Sequence, residues 1–239
     1  MQPLAQFEVV PWIPIHVFGL DLSLTNVAAF MFLAVVLTVV FLFVGLRRQQ
    51  FMPDRWQCLA EVPLHLVDDM LLETNGQKGQ SFLPLMASVF LFIFMGNFLG
   101  LLPYAFTFTS QLIVNFALAV GVILIIMGIG IVRHGLSFFR IFFPSGIPLW
   151  ICPFLIPIEI LSYLSRPLSL AIRLTANMMA GHSMLKIFAY FTIMAGVLGV
   201  IPLCVNIVLI AFECLVAFLQ AYVFTMLSCI YLHDALELH

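Results

Sequence analysis

The chain has 239 residues, of which 64% are apolar and 8% charged, with a formal net charge of −2, and its mean hydropathy is +1.18. A soluble domain is closer to half apolar and a quarter charged, so these few polar groups cannot cover this much hydrocarbon against water, and the solvent is lipid. The small net charge and the lack of any basic run exclude a nucleic-acid-binding protein.

No hydrophilic stretch is long enough for a second unit, so residues 1–239 are read as a single membrane domain. No lysine or arginine precedes Arg47, which fits neither a signal peptide with a basic n-region nor an Arg-rich transit peptide. Either a presequence is removed or none is needed. Residues 1–46 form the N-terminal segment and first transmembrane helix, the uncharged run Val27 to Leu46 being long enough to cross the hydrocarbon. Arg47, Arg48 and Arg55 follow it, whereas Glu8 and Asp21 precede it, so Arg47 lies on the cytoplasm-like side.

Residues 53–74 show helical periodicity with an acidic face: Trp56, Leu59, Val62, Leu66 and Met70 alternate with Asp54, Glu61, Asp68, Asp69 and Glu73. That pattern predicts an amphipathic helix on the membrane surface. Asn75-Gly76 and Lys78-Gly79 make a turn. Residues 82–132 hold two apolar runs, Phe82 to Leu102 and Leu112 to Val132, joined by the uncharged linker Pro103 to Gln111. Arg133 and Arg140 follow the second run, as a hairpin returning to the basic side requires. Phe138 to Pro148 reads as a loop with Pro144, Gly146 and Pro148 as breakers.

Residues 149–236 are expected to be two long helical segments joined near Gly199–Pro202. The first carries Glu159, Arg166, Arg173 and Lys186 along an otherwise apolar run. A charge at the bilayer centre costs ~2.5–3.5 kcal/mol, so these charges need a reason. At about 100° per residue, Glu159, Ser162, Arg166, Ser169, Arg173, Ala176 and Ala180 make one stripe, polar first and small past Arg173. Small residues let another helix approach closely in lipid. Glu159 and Arg166 also fit a purely structural ion network. Arg173 has no acid at a helical neighbour position and is therefore a functional candidate. His182 falls about 180° round the helix from Arg173, on the face of Lys186. In the second segment Glu213, Ala217 and Gln220 share a face. Ionisable groups on two faces suit two polar routes better than one pore, although a lone histidine is often an ordinary core residue.

Cys58, Cys152, Cys204, Cys214 and Cys229 have no metal-type spacing, and no Gly-rich phosphate loop is present, so no cofactor, metal or catalytic site of its own is expected. A proton-coupled secondary transporter is the alternative class, but it would show an internal repeat with corresponding broken helices, and none is found. A haem carrier would need paired axial ligands, and His182 is the only histidine deep in an apolar segment.

SRPLSLAIRLTANMMAGH (Ser165 to His182), LQAYVFTMLSCIYLHDAL (Leu219 to Leu236), GNFLGLLPYAFTFTSQL (Gly96 to Leu112) and the opening LAQFEVVPWIPI together closely resemble subunit a of F-type rotary ATP synthases. The resemblance covers almost the whole chain and is to the mitochondrial type, which bacterial relatives of mitochondria share. It implies an all-α membrane protein with one N-terminal transmembrane helix, a surface amphipathic helix, a membrane hairpin and a long, strongly tilted helical hairpin around a rotor. It implies a stator subunit with two offset proton half-channels, coupling proton translocation to rotation and ATP synthesis. Arg173 would face the carboxylates of the rotor ring of c subunits, with Gln220 its neighbour on the next helix and Asn177 one turn on. His182 and Glu213 would be a coupled pair in the half-channel on the proton-source side, and Glu159 an acid of the exit half-channel. The implied partners are the rotor ring, the peripheral-stalk and other membrane-sector subunits, and the lipid bilayer. The mitochondrial inner membrane is the expected location, with a bacterial plasma membrane as the alternative.

Overall fold

The computed structural model describes residues 11–13, 16–17, 20–21, 23–47, 54–102, 105–135 and 152–236. Among them the fold is helical, apart from two short antiparallel ladders that the sequence does not announce: Pro11–Ile13 pairs with Leu24–Thr25, and His16–Val17 with Leu20–Asp21. The loop expected over Phe138 to Pro148, like Arg48, Pro53, Pro103 and Arg140, lies outside the described residues.

Helix α1 (Asn26–Leu46) starts where the extended Thr25 accepts the Ala28 amide on its side chain, leaving one fewer orphan donor at the helix start. Helix α2 (Arg55–Asn75) starts at Asp54, whose carboxylate accepts the Arg55 amide. A 3-10 turn (Gly76–Phe82) leads into α3 (Leu83–Gly100), and α4 (Leu112–His134) follows the linker. Gly76 and Gly135 end α2 and α4 with φ of +59° and +58°, a conformation that favours glycine.

Helix α2, expected on the membrane surface, packs its second half into the bundle. Trp56, Leu59 and Val62 are exposed, but Val67, Met70 and Leu71 are buried among α3 and α6. Asn75 Nδ2 donates to the Cys229 carbonyl of α6 at 3.1 Å. The second half of the helix is therefore part of the core.

Helix α5 (Cys152–Met194) has 43 residues and α6 (Val200–Leu236) has 37. At 1.5 Å per residue they are roughly 65 and 55 Å long, well beyond a hydrocarbon core of about 30 Å. The connection, expected near Gly199–Pro202, is a 3-10 turn over Gly196–Gly199. Gly196 takes φ of +55°, and a Cβ on Gly199 would collide with the Thr192 carbonyl. Pro202 falls in the first turn of α6, where a missing N–H costs nothing.

The core joins α2 through α6 around Leu71, Phe90, Leu91, Ile126, Leu174 and Leu232. Outward, Phe32, Phe43, Leu124, Val132, Ile193 and Phe212 are exposed, as a lipid-facing surface requires. Among the described residues four helical stretches are long and apolar enough to cross a membrane: Asn26–Leu46, Arg55–Gly100, Leu112–His134 and Val200–Leu236.

Candidate functional site

The site is built where α5 meets α6 at Gly181. A Cβ there would stand 2.6 Å from Glu213 Oε1 and 2.9 Å from its Cδ. The missing side chain is what lets the Glu213 carboxylate lie against α5. His182, the next residue, places Nε2 3.7 Å from Glu213 Oε1. Both are deeply buried, with 7% of His182 and 5% of Glu213 exposed. That separation is ion-pair range and too long for a hydrogen bond. Neither Glu213 oxygen has a hydrogen-bond partner among the described residues. A buried carboxyl without hydrogen bonds is costly to maintain.

The linker between α3 and α4 supplies a second contact. Thr107 Oγ1 lies 3.0 Å from His182 Nε2 and 3.5 Å from the Gly100 carbonyl. Two glycines on α3 make room for it. A Cβ on Gly96 would run into the Phe108 ring, and one on Gly100 into the Thr107 side chain. The linker therefore folds back and buries Thr107, Thr109 and Ser110. Asn115 Nδ2 extends the polar layer, donating to the Thr109 carbonyl at 2.5 Å and to Thr175 Oγ1 on α5 at 2.8 Å. Asn97 Nδ2 donates to the Ala217 carbonyl at 3.2 Å, tying α3 to the turn of α6 after Glu213.

His182 also borders open space. With Lys186, Asn206, Leu102, Ala105 and Phe106 it lines a cleft of about 700 Å³. The cleft sits at the end of the bundle where α3 stops, α4 starts and α5 turns into α6. On α5, His182 is the lining residue farthest from that turn.

Arg173 lies nine residues before His182, roughly 14 Å along the helix and half a turn round it. It is exposed, and among the described residues it makes no hydrogen bond or ion pair. Asn177 is half-buried. Gln220 is buried, and its Oε1 accepts no hydrogen bond among the described residues. The structure thus brings His182 and Glu213 together, and among the described residues no hydrogen bond joins Arg173 to Gln220 or Asn177. The side chains of Glu159 and Arg166 lie outside the described residues.

Sequence reasoning missed Thr107, Asn115, Thr175 and Asn97. A signal existed, because Asn97 and Asn115 are the sole amides of their apolar runs and the uncharged linker is rich in hydroxyls.

Helices long and apolar enough to cross a membrane, a buried acid–imidazole pair bordering a cleft and a separate exposed guanidinium on the helix of the imidazole together describe a multi-pass membrane protein that carries ionisable groups. The family model described as ATP synthase A chain matches residues 28–233. The ATP synthase subunit a of Rhodospirillum rubrum is 47% identical over 238 residues, covering 99% of both chains, and a strain of that species gives the same figures. The chain belongs to the ATP synthase A chain family.

Proposed function

We propose that this chain is the stator subunit a of a rotary ATP synthase, which carries protons between the aqueous phases and the rotor ring of c subunits. The observation that carries the reading is the His182–Glu213 pair, buried at 3.7 Å yet bordering the cleft through His182. The basic residues after α1 and in the last turn of α4 assign the other end of the bundle to the cytoplasm-like side. The cleft is then the half-channel open to the proton source. An imidazole changes charge near neutral pH, so it can take a proton from water in the cleft and share it with the neighbouring carboxyl.

Arg173 is the barrier between the two half-channels. A guanidinium keeps its proton at any working pH and cannot relay one. A rotor carboxylate passing it is held ionised by the opposite charge, and once beyond it meets lipid, where the neutral form is favoured. Rotation then requires protonation from one side and release to the other, and each charge falling through 100 mV supplies ~2.3 kcal/mol. Gln220 and Asn177 assist near Arg173, and Glu159 belongs to the exit route. The excess length of α5 and α6 is accommodated by a strong tilt along the rotor. Nucleotide chemistry resides on partner subunits, and the peripheral stalk holds the chain in place. The membrane is a bacterial plasma membrane, a reading supported by the Rhodospirillum relatives over the mitochondrial alternative.

A double-mutant cycle on proton flux tests the pair. His182→Glu and Glu213→His should each slow ATP-driven proton pumping in reconstituted vesicles, and the exchanged double variant should recover more flux than either. Strictly additive losses with no recovery would leave His182 an ordinary core residue.

A further inference from the structure

Asn97, on α3, is fully buried, and its Nδ2 donates to the Ala217 carbonyl of α6 at 3.2 Å. A carbonyl only accepts, so this bond fixes which end of the amide is nitrogen and leaves Oδ1 as an acceptor. Oδ1 has no hydrogen-bond partner among the described residues, and the same holds for Gln220 Oε1 and both Glu213 carboxylate oxygens. Glu213 and Gln220 are buried as well. Ala217 stands between them on one face of α6, four residues after Glu213 and three before Gln220. Four buried oxygens along one short stretch of the helix interface therefore call for donors, and leaving such groups unpaired is costly.

We propose that Asn97 is a positioning residue of the proton path: with Glu213 and Gln220 it binds a short file of buried waters, and through them the proton leaves Glu213 towards the rotor. The inference rests on the reading of His182 and Glu213 as a proton path. The spacing suits water. Ala217 lies about 6 Å along α6 from Glu213 and about 4.5 Å from Gln220, and a water that donates to two acceptors bridges up to about 5.5 Å. The bond to Ala217 holds the Asn97 amide at that intermediate level. These four atoms are all acceptors, so the occupant must donate, and a buried water needs two or more such partners. The Glu213 O–H breaks as the water beside it gains that proton. This water gives one of its own protons to the next, and His182 returns one to the carboxylate. Asn97 exchanges no proton and only orients the file.

The test compares Asn97→Leu with Asn97→Ala in ATP-driven proton pumping by the reconstituted complex. Leucine keeps the shape and removes both polar atoms, whereas alanine opens room for a further water beside the Ala217 carbonyl. Packing favours leucine, so an Asn97 that only ties α3 to α6 would give more flux in the Leu variant than in the Ala variant. The water file gives the reverse order. Asn97→Leu should lose about tenfold or more, the scale of withdrawing a buried polar partner. Asn97→Ala should lose no more than about threefold, the cost of holding one more water. Glu213→Gln is measured alongside. Wild-type flux there would sink the proton-path reading and this inference with it. Flux lost there, with Asn97→Leu at or above Asn97→Ala, would overturn this inference alone. Two further readouts use the unaltered complex and stand whether or not a variant assembles. A density map that resolves ordered water should place one within hydrogen-bond distance of Asn97 Oδ1, and a dry Oδ1 would overturn the proposal. Flux should not respond to sodium at fixed pH, and a rise with sodium would assign the same oxygens to a metal cation instead.

Discussion

Gly181→Ala is the most direct probe of the geometry at Glu213. The added methyl would stand 2.6 Å from Glu213 Oε1, 2.9 Å from Cδ and 3.3 Å from Cγ, inside van der Waals contact for all three atoms. Overpacking of this kind costs typically 1–3 kcal/mol, and the cheapest relief is to move the far end of a flexible side chain. The carboxylate therefore swings away from its place 3.7 Å from His182 Nε2. A displacement near 1 Å at a reacting group can cost on the order of 100-fold in rate, so proton pumping should fall by roughly 10- to 100-fold while the complex still assembles. Glu213→Asp alone should also slow flux, since it withdraws the carboxyl by one methylene. In the double variant the shorter acid vacates the space the methyl needs, so the combined loss should be smaller than the sum of the single losses. The assay is ATP-driven acidification of vesicles holding equal amounts of assembled complex. Wild-type flux in Gly181→Ala, or strictly additive losses with Glu213→Asp, would refute the close approach of α5 and α6 at this level.

Arg173→Ala should abolish proton-driven ATP synthesis and leave assembly largely intact, and Arg173→Lys should rescue poorly, because an ammonium lacks the planar fork and can lose its proton when desolvated; synthesis near the wild-type rate in vesicles would sink the barrier role. Thr107→Val keeps the shape but removes the hydroxyl 3.0 Å from His182 Nε2, which should cost about 1–3 kcal/mol locally and slow flux. Thr107→Ser should restore the flux, and equal rates in the Val and Ser variants would reduce the contact to packing.

Much of the helical layout was readable because lipid imposes a simple requirement. An uncharged run must be about 20 residues long to cross, and the expected Val27 to Leu46 became Asn26–Leu46. The amphipathic period of α2 was equally plain, yet its docking was not. The hydrogen bond from Asn75 goes to Cys229, far along the chain, and a local period says nothing about what lies across the bundle. The short ladders before α1 span two or three residues each, too few for an alternation to register.

The site divides along the same line. Helical geometry puts Arg173 and His182 on opposite faces, and the structure leaves the first exposed and buries the second. What spacing along one helix cannot supply is the register between two. That register depends on residues that are small or neutral and so carry little signal of their own. Gly181 admits the Glu213 side chain, while Gly96 and Gly100 admit the linker that brings Thr107 to the imidazole. A charge in an apolar run stands out because it is expensive there. A glycine in the same run looks like any small residue until the neighbouring helix is in place. The groups that titrate were therefore legible as candidates, while the groups that hold them at 3.7 and 3.0 Å became visible only in the packed structure.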